Sequence, residues 1–514
     1  MKPFALRIAL TFATMCLASC VPRSGNDLLA EVKESTRRLE ASPDNHAAMH
    51  RQRHALEQLV EWYDGLPLEQ RAAWSSSAGL NVEVEATGEQ GLNRFTPVNQ
   101  IRVHGLDHDY RREGAGVPVL AWRPNDGYGK FDDLRPPEGI YTARTAVFVS
   151  ASGQRRDTLQ FLSPENHDSV SIGNRTWPLA ADSSAPVATL VGHAEALRKT
   201  GFTSMLRPLS SPRHEKLYLI DPYDPNRIPL LMVHGLQSTP VQFGNLVNDL
   251  HADPQLRSRY QIWHYYYPTG LPVMQNAAVL RKVLRQTLQK LDPDGNDFAT
   301  NHIVVMGHSM GGILSHTLVC DSGYKLWDSV IHVRPEKLRA PRADIEATKE
   351  LFVFQRDPRV RRVIFIAVPH RGSSFADNWI GRLGLNLFQG DDRFVSTLHP
   401  ILEHHRADLD PFIVKMIEDG KFSSIRTLSP RSPALRALAE IPPQVPFHSI
   451  IGQRFGGPFW KGTDGFVSYE SSHLEGAESE LIIRSGHLAF RKEAAVREIK
   501  RILLLPLAEA SPQP

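Results

Sequence analysis

The residues with the clearest chemical potential lie around Ser309. An apolar run typical of a buried strand, residues 303–306, leads into a G-x-S-x-G turn formed by Gly307, Ser309 and Gly311, and a helix-like segment follows. A serine hydroxyl is a weak nucleophile, so it needs a sharp turn that exposes it to an imidazole, and only small neighbours fit such a turn. The pattern therefore predicts that Ser309 is a nucleophile rather than an incidental serine in a glycine turn.

A base and an acid for this serine are expected later in the chain, each after a late strand. Asp464 follows the apolar run 447–452 through a glycine-rich loop, and His487 follows the apolar run 480–483. Open α/β sheets bring the carboxyl ends of their strands to one edge, so both side chains are predicted to lie near Ser309. We predict that the three residues form a Ser-His-Asp triad suited to acyl transfer.

Other acids and imidazoles compete for these two roles. Asp321 and Asp377 follow earlier strands, and Asp321 comes too soon after the nucleophile helix. His370 follows the strand after that helix, and His473 precedes the last strand. Either histidine could line the cleft without accepting the serine proton, so Asp464 and His487 remain the preferred pair.

Backbone amides near Ser309 could stabilise a developing oxyanion. Met310 directly follows the nucleophile at a predicted helix start, where the amide faces the reacting carbonyl. His234 and Gly235 follow the first apolar strand of this region. His-Gly here, with Gly-His-Ser-Met-Gly-Gly later, resembles bacterial lipases and esterases of the α/β-hydrolase superfamily. The resemblance covers roughly residues 228–505 and implies that the Leu236 amide is the second oxyanion donor.

The elements that must position these residues alternate between apolar strands and amphipathic helices. This alternation predicts an α/β fold with a mostly parallel, doubly covered sheet over residues 216–506, and the resemblance implies the α/β-hydrolase fold. Two long helix-favouring insertions, at about 321–360 and 373–445, are interpreted as lids. Residues 66–215 are predicted to form a β-rich domain of unknown role, and residues 20–65 a helical spacer.

The first 19 residues are typical of a secretory signal, with a basic start and a short apolar run. The sequence Leu-Ala-Ser-Cys that ends at Cys20 resembles a lipobox, so we expect Cys20 to be lipidated and to hold the protein in the membrane. The alternative is an ordinary signal with an incidental cysteine. No aspartate follows Cys20, so the expected location is the bacterial envelope, at the outer membrane and facing the periplasm.

Composition and charge exclude several classes of function. The 59 Lys and Arg residues nearly balance the 56 Asp and Glu residues, so nucleic acid is not an expected partner. No metal or cofactor is expected, because the sequence contains no ligand spacing or nucleotide-binding motif of the usual kinds. Three hypotheses remain: a hydrolase of carboxylic or lipid-like esters, an acyltransferase with the same triad, and a non-catalytic envelope lipoprotein that binds a partner.

Overall fold

The structure is a computed structural model that describes residues 23–42, 45–86, 91–101, 105–127, 129–150, 156–193, 215–375, 392–419 and 422–507. The predicted signal sequence, the predicted lipidation site Cys20, and Asp377 lie outside the described residues.

The N-terminal unit combines helices with short strands. Its strands are β1 (Leu80–Val84), β2 (Arg94–Pro97), β3 (Arg111–Arg112), β4 (Val117–Arg123), β5 (Ile140–Val149), β6 (Asp157–Leu162), β7 (Ser169–Ile172), β8 (Arg175–Pro178) and β9 (Ala181–Asp182). Its helices are α1 (Gly25–Ala41), α2 (His46–Gly65), α3 (Leu68–Ser77) and α4 (Ala185–His193). Five strands form a sheet in the order β1-β6-β5-β4-β2, in which only the β1–β6 pair is parallel.

Helices α1 and α2 pack against this sheet. Leu28 and Val32 of α1 and Leu59 of α2 share one buried cluster with Phe95 and Phe161 of the sheet. Helices were predicted in this region and are present as α1 and α2, and the spacer role of residues 20–65 stays a prediction. An amphipathic helix must bury its apolar face, and here the five-stranded sheet covers that face.

The C-terminal unit is built on a larger sheet. Its strands are β10 (Lys216–Leu219), β11 (Ile228–Val233), β12 (Tyr260–Tyr266), β13 (Ile303–His308), β14 (Val360–Ile366), β15 (Phe447–Gly452) and β16 (Ser479–Ile483). Its first helices are α5 (Gly244–His251), α6 (Pro254–Arg259), α7 (Val273–Leu291), α8 (Phe298–Asn301) and α9 (Met310–His316). The later ones are α10 (Lys325–Val330), α11 (Arg342–Phe352), α12 (Asp392–His405), α13 (Pro411–Glu418), α14 (Ser424–Thr427), α15 (Pro433–Ala439), α16 (Tyr469–Ser472) and α17 (Glu493–Leu504).

The seven strands lie in the order β10-β12-β11-β13-β14-β15-β16. Strand β10 is antiparallel to β12, and every other pair is parallel. Neighbouring residues of the central strands enter different cores: Leu231 and Val305 belong to one buried cluster, Leu230 and Val304 to another. The unit is thus an α/β fold with a mostly parallel sheet covered on both faces.

Both predicted insertions contribute to the core on one face of the sheet, and Ile401, Ile413 and Leu435 of the second are buried there. In the first, Leu326 and Trp327 of α10 and Phe352 of α11 are buried in the core on one face of the sheet. In the second, Ser373 and Phe375 reach the loop after β15, as described below. Both insertions are therefore part of the hydrophobic core, and the lid role of both stays a prediction.

Within these described ranges, no helix combines the length and the apolar character required to cross a bilayer.

Candidate active site

Ser309 occupies a sharp turn between β13 and α9. Its backbone has φ 54° and ψ −128°, a conformation that residues with a side chain rarely adopt. Its amide donates a hydrogen bond to the carbonyl oxygen of Ile366 in the next strand at 2.9 Å, which ties the turn to the sheet. Such a conformation costs about 1–3 kcal/mol and persists only where the surroundings enforce it. The turn thereby directs a serine hydroxyl away from the end of the strand.

The glycines of the motif are required by close packing. A Cβ atom on Gly307 would lie 2.5 Å from the Cα of Gly312, and one on Gly311 would collide with the carbonyl oxygen of Val233. In both cases the added atom would lie well inside van der Waals contact with a backbone atom. The helix can therefore approach the sheet closely only because these positions lack side chains.

The structure brings Ser309, His487 and Asp464 together. The hydroxyl of Ser309 donates to Nε2 of His487 at 2.8 Å, and Nδ1–H of His487 donates to Oδ2 of Asp464 at 2.7 Å. These three residues come from loops after three different strands, β13, β15 and β16. The parallel sheet therefore assembles the predicted constellation at the carboxyl edge of its strands. The catalytic roles of the three residues stay predictions.

Asp464 is held rigidly. It is 2% exposed, and its other oxygen, Oδ1, accepts the amide hydrogens of Phe466 and Val467, both at 2.8 Å. A buried carboxylate needs such donors to keep its charge. Because Oδ2 is then directed at His487, the imidazole carries its proton on Nδ1 and offers the Nε2 lone pair to Ser309. This is the arrangement that a general base requires.

The predicted oxyanion loop lies against the nucleophile. A Cβ atom on Gly235 would be 3.0 Å from Cβ of Ser309, so the loop that carries Leu236 adjoins the reacting hydroxyl. The next residue, Gln237, has a positive φ of 56°, and its amide donates to the Thr269 hydroxyl at 3.3 Å. Met310 follows Ser309 at the first position of α9. The roles of the Leu236 and Met310 amides stay predictions.

His234 supports this loop from inside. Its Nδ1–H donates to the carbonyl oxygen of Gly235 at 3.0 Å, and its own carbonyl accepts the hydroxyl of Tyr267 at 2.7 Å. The two rings stack with centroids 4.4 Å apart. Burial lowers the pKa of His234 to about 4, so the ring is neutral at pH 7. These contacts hold the loop that carries Leu236 in place.

His308 is a site residue that the sequence analysis did not identify. Its Nε2–H donates to the carbonyl oxygen of His487 at 2.9 Å, and its Nδ1 accepts from the side-chain amide of Gln242 at 3.4 Å. Burial lowers the pKa of His308 to about 3, which keeps the ring neutral. His308 fills a variable position of the G-x-S-x-G motif, so the turn itself gave no signal for this role.

The competing residues are engaged elsewhere. Nδ1 of His473 lies 2.6 Å from a carboxylate oxygen of Glu480, and Asp321 accepts the amide hydrogen of Arg356 at 2.8 Å. His370 is 2% exposed and packs edge-on against Phe365 with ring centroids 4.8 Å apart. None of these contacts directs a competitor at Ser309, so the geometry favours Asp464 and His487.

Two exposed apolar residues next to His487, Phe466 in space and Leu488 in sequence, are called the apolar rim here. The ring of Phe466 lies 5.0 Å from the His487 ring and 4.4 Å from the Phe375 ring, yet 44% of Phe466 is exposed. The Ser373 hydroxyl donates to the Phe466 carbonyl and fixes this loop. Leu488, next to His487, is also a large exposed apolar residue. Exposed apolar side chains beside a reactive group are typical of a surface that binds an apolar ligand.

In the part of the chain that the structure describes, no group of three or more His, Cys, Asp and Glu residues is arranged to hold a metal ion. Cys320 is buried, and burial raises the pKa of its thiol to about 12.

Comparisons with known proteins give only distant likenesses. No protein-family model matches the chain, and no curated protein matches it. A lipase from Bacillus licheniformis is 16% identical with a TM-score of 0.33, and the match covers 56% of this chain and 98% of the lipase. A lipase-esterase related protein from Clostridium acetobutylicum is 15% identical with a TM-score of 0.30, and the match covers 56% of this chain and 99% of that protein.

An esterase from Exiguobacterium antarcticum is 15% identical with a TM-score of 0.31, and the match covers 56% of this chain and 96% of the esterase. These structural neighbours are bacterial lipases and esterases. Identities and TM-scores this low carry no argument about the present chain, so its function has to be inferred from the geometry around Ser309.

Proposed function

We propose that this protein is a serine hydrolase that cleaves carboxylic esters, lipid-like esters among them, through an acyl-enzyme on Ser309. The observation that carries the proposal is the continuous hydrogen-bond chain from the Ser309 hydroxyl through His487 to the buried Asp464. A serine on a strained turn, a base 2.8 Å away and an anchored carboxylate are the parts that nucleophilic acyl transfer needs.

The reaction proceeds in two halves. As the Ser309 oxygen attacks the ester carbonyl carbon, Nε2 of His487 takes the hydroxyl proton, and the amides of Leu236 and Met310 stabilise the oxyanion. The bond to the alcohol oxygen then breaks, and His487 donates its proton to the leaving alcohol. Water attacks the acyl-enzyme with His487 again as the base, and this step releases the carboxylic acid and restores Ser309.

The apolar rim supports an apolar acyl ester as substrate. Phe466 and Leu488 expose hydrocarbon surface beside His487, and burying such surface against an acyl chain gains roughly 25 cal/mol per Å². Lipidation at Cys20, with the protein at the outer membrane and facing the periplasm, belongs to the same proposal, because it would bring this rim close to lipid esters.

The proposal is tested with p-nitrophenyl esters from acetyl to palmitoyl and the full chain in mild detergent. We expect turnover by the wild-type protein and a loss of about 10⁴-fold or more in Ser309→Ala. Ser329→Ala is the matched control, since the Ser329 hydroxyl donates a hydrogen bond to the carbonyl oxygen of Leu326 within α10. Activity retained by Ser309→Ala would end the assignment, and a wild-type protein without turnover on any ester would favour a binding role.

A further inference from the structure

Helix α5 begins immediately beyond the oxyanion loop. Residues 234–237 form that loop, a short 3-10 turn follows at Pro240–Phe243, and α5 starts at Gly244. So few residues separate the loop from the helix that a displacement of α5 is transmitted directly to the loop. The contacts that hold α5 in place therefore bear on the geometry around Ser309.

The N-terminal unit supplies polar contacts to α5 from residues 107–110. Asp249 accepts the hydroxyl hydrogen of Tyr110 at 2.7 Å, and Nδ1 of His108 lies 3.0 Å from the same carboxylate oxygen. Asn245 and Asp107 exchange two hydrogen bonds: the Asp107 amide donates to the Asn245 side chain at 2.8 Å, and that side chain donates back at 2.9 Å. One face of α5 is thus fixed at two successive turns by the N-terminal unit.

An apolar contact fixes the start of the same helix. Val191 of α4 lies so close to Gly244 that a Cβ atom on Gly244 would be 2.6 Å from its Cγ2. Helix α4 joins the two units, because its Ala185 shares a buried cluster with Tyr141 of the N-terminal sheet and its Val187 shares one with Leu246 of α5. The spacing between the two units at this point is therefore set to within a methyl group.

The segment between the loop and α5 also reaches the proposed triad. Gln242 accepts the Ser238 hydroxyl at 2.8 Å and donates to Nδ1 of His308 at 3.4 Å. His308 in turn donates to the carbonyl of His487 at 2.9 Å. A shift of α5 would therefore change the positions of two groups on either side of the Ser309 hydroxyl, the oxyanion loop and His487.

We propose that the N-terminal unit is a positioning part of the acyl-transfer site: through Tyr110 and Val191 it holds α5, and thereby the oxyanion loop, in its working position. This inference rests on the proposed function and gives the N-terminal unit a role in the chemical step. The residues named act through the loop and touch no substrate, so they are positioning residues.

The experiment introduces a steric clash at the start of α5 in the full chain and then removes it with a compensating substitution. Gly244→Ala places a methyl group against Val191, and Val191→Ala removes the opposing methyl groups. We expect Gly244→Ala to lower kcat about tenfold with KM changed less than about twofold, a fraction of the 10²–10³-fold cost of losing an oxyanion donor. The double variant should regain kcat to within about twofold. Alanine favours a helix more than glycine does, so a weakened α5 would not explain the loss.

Two further variants complete the test. Tyr110→Phe removes the hydroxyl that donates to Asp249 and that also lies 3.5 Å from Nδ1 of His108, and it should lower kcat about twofold to fivefold, again at constant KM. Arg53→Ala, which breaks an ion pair with Glu113 inside the N-terminal unit, should leave kcat unchanged. Thermal unfolding of each variant, measured in parallel, separates a loss of folded protein from a loss in the chemical step.

Each outcome decides the inference. Wild-type kcat in Gly244→Ala, a kcat that Val191→Ala fails to restore, or, where Gly244→Ala does not fold, an unchanged kcat in Tyr110→Phe would overturn it. If the wild-type protein hydrolyses no ester, the proposed function fails. If the wild-type protein is active and Gly244→Ala equals it, only the positioning role fails.

Discussion

The two sheets of this chain differ in what they do with their strand ends. In the seven-stranded sheet the parallel strands β13, β15 and β16 all finish at one edge, and the loops after them carry Ser309, Asp464 and His487. In the five-stranded sheet most neighbours are antiparallel, so successive strand ends point to opposite edges. A parallel sheet gathers residues that are distant in sequence, whereas a largely antiparallel one distributes them.

This difference in strand direction corresponds to different roles for the two sheets in our proposals. The parallel sheet assembles reactive groups, while the other sheet presents a helix and a polar segment that hold α5. Buried polar residues occur in both units, so burial alone does not mark the site. The direction in which the strands run, and the hydrogen bonds at their carboxyl ends, set the two units apart.

The largest expected effect separates two aspartates that are equally buried. Asp464 and Asp132 are each 2% exposed, and Asp132 pairs with Arg123 in the N-terminal unit. Asp464→Asn should lower kcat by about 10⁴-fold, because the amide cannot stabilise the imidazolium or keep the right tautomer of His487. Asp132→Asn should reduce the free energy of unfolding and leave kcat unchanged. Steady-state kinetics and urea unfolding of both variants check this.

The comparison would break down if both variants lost activity in proportion to their stability. Asp464 would then be a structural residue like Asp132, and the triad assignment would fail.

Acid should affect the two units unequally. Burial lowers the pKa of His234 and His316 to about 4 and of His264 and His308 to about 3, all four in the C-terminal unit. These histidines bind protons in the unfolded chain at about pH 6.5 but in the folded protein only at much lower pH. Their neutral burial therefore contributes fully to the free energy of unfolding above pH 6.5, and this contribution is lost as pH falls toward 4. The loss is on the order of 1–2 kcal/mol per histidine at pH 5.

In the N-terminal unit, His108 shifts the opposite way, because its hydrogen bond to Asp249 raises its pKa. Its contribution is fully present below pH 6.5 and is lost as pH rises through the raised value. Hydrogen exchange at pH 7 and pH 5 should therefore show a larger loss of protection in the seven-stranded sheet than in the five-stranded one. Equal losses in both sheets would contradict the assignment of the buried histidines as neutral.

The smallest expected effect concerns two exposed phenylalanines at opposite ends of the strands of the seven-stranded sheet. Phe466 beside His487 is 44% exposed, and Phe298, in the helix before β13, is 43% exposed. Phe466→Ala should raise KM for long-chain esters about threefold to tenfold, since a lost aromatic contact is worth about 1 kcal/mol, and should leave KM for acetyl esters nearly unchanged. Phe298→Ala should alter neither value. Equal KM changes in the two variants would remove the acyl-binding role of the rim.

Much of the site was predictable because its signals are local. The apolar strand, the glycines around Ser309 and the positions of Asp464 and His487 after late strands can each be seen within about ten residues of sequence. Helical periodicity likewise predicted α1 and α2. It could not predict that these helices pack on the five-stranded sheet, because an apolar face does not specify its partner.

The missing parts arise from tertiary approach. His308 contacts a carbonyl 179 residues later, and Tyr110 contacts a helix residue 139 positions away. Single residue types at such separations leave no pattern in one sequence. The core contribution of the insertion at 321–360 was missed for a related reason: its helices are rich in charge, and the apolar residues that enter the core, Trp327 among them, are spaced among the charged ones.

The turn at Ser309 also has a bearing on how selection acts on this chain. With φ at 54°, the position suits glycine, and a population selected for folding stability alone would drift toward glycine there. Serine at such a place carries a conformational cost, and under the proposed function the reactivity of its hydroxyl offsets that cost. The serine at this turn therefore supports the proposed activity from the backbone geometry of one sequence.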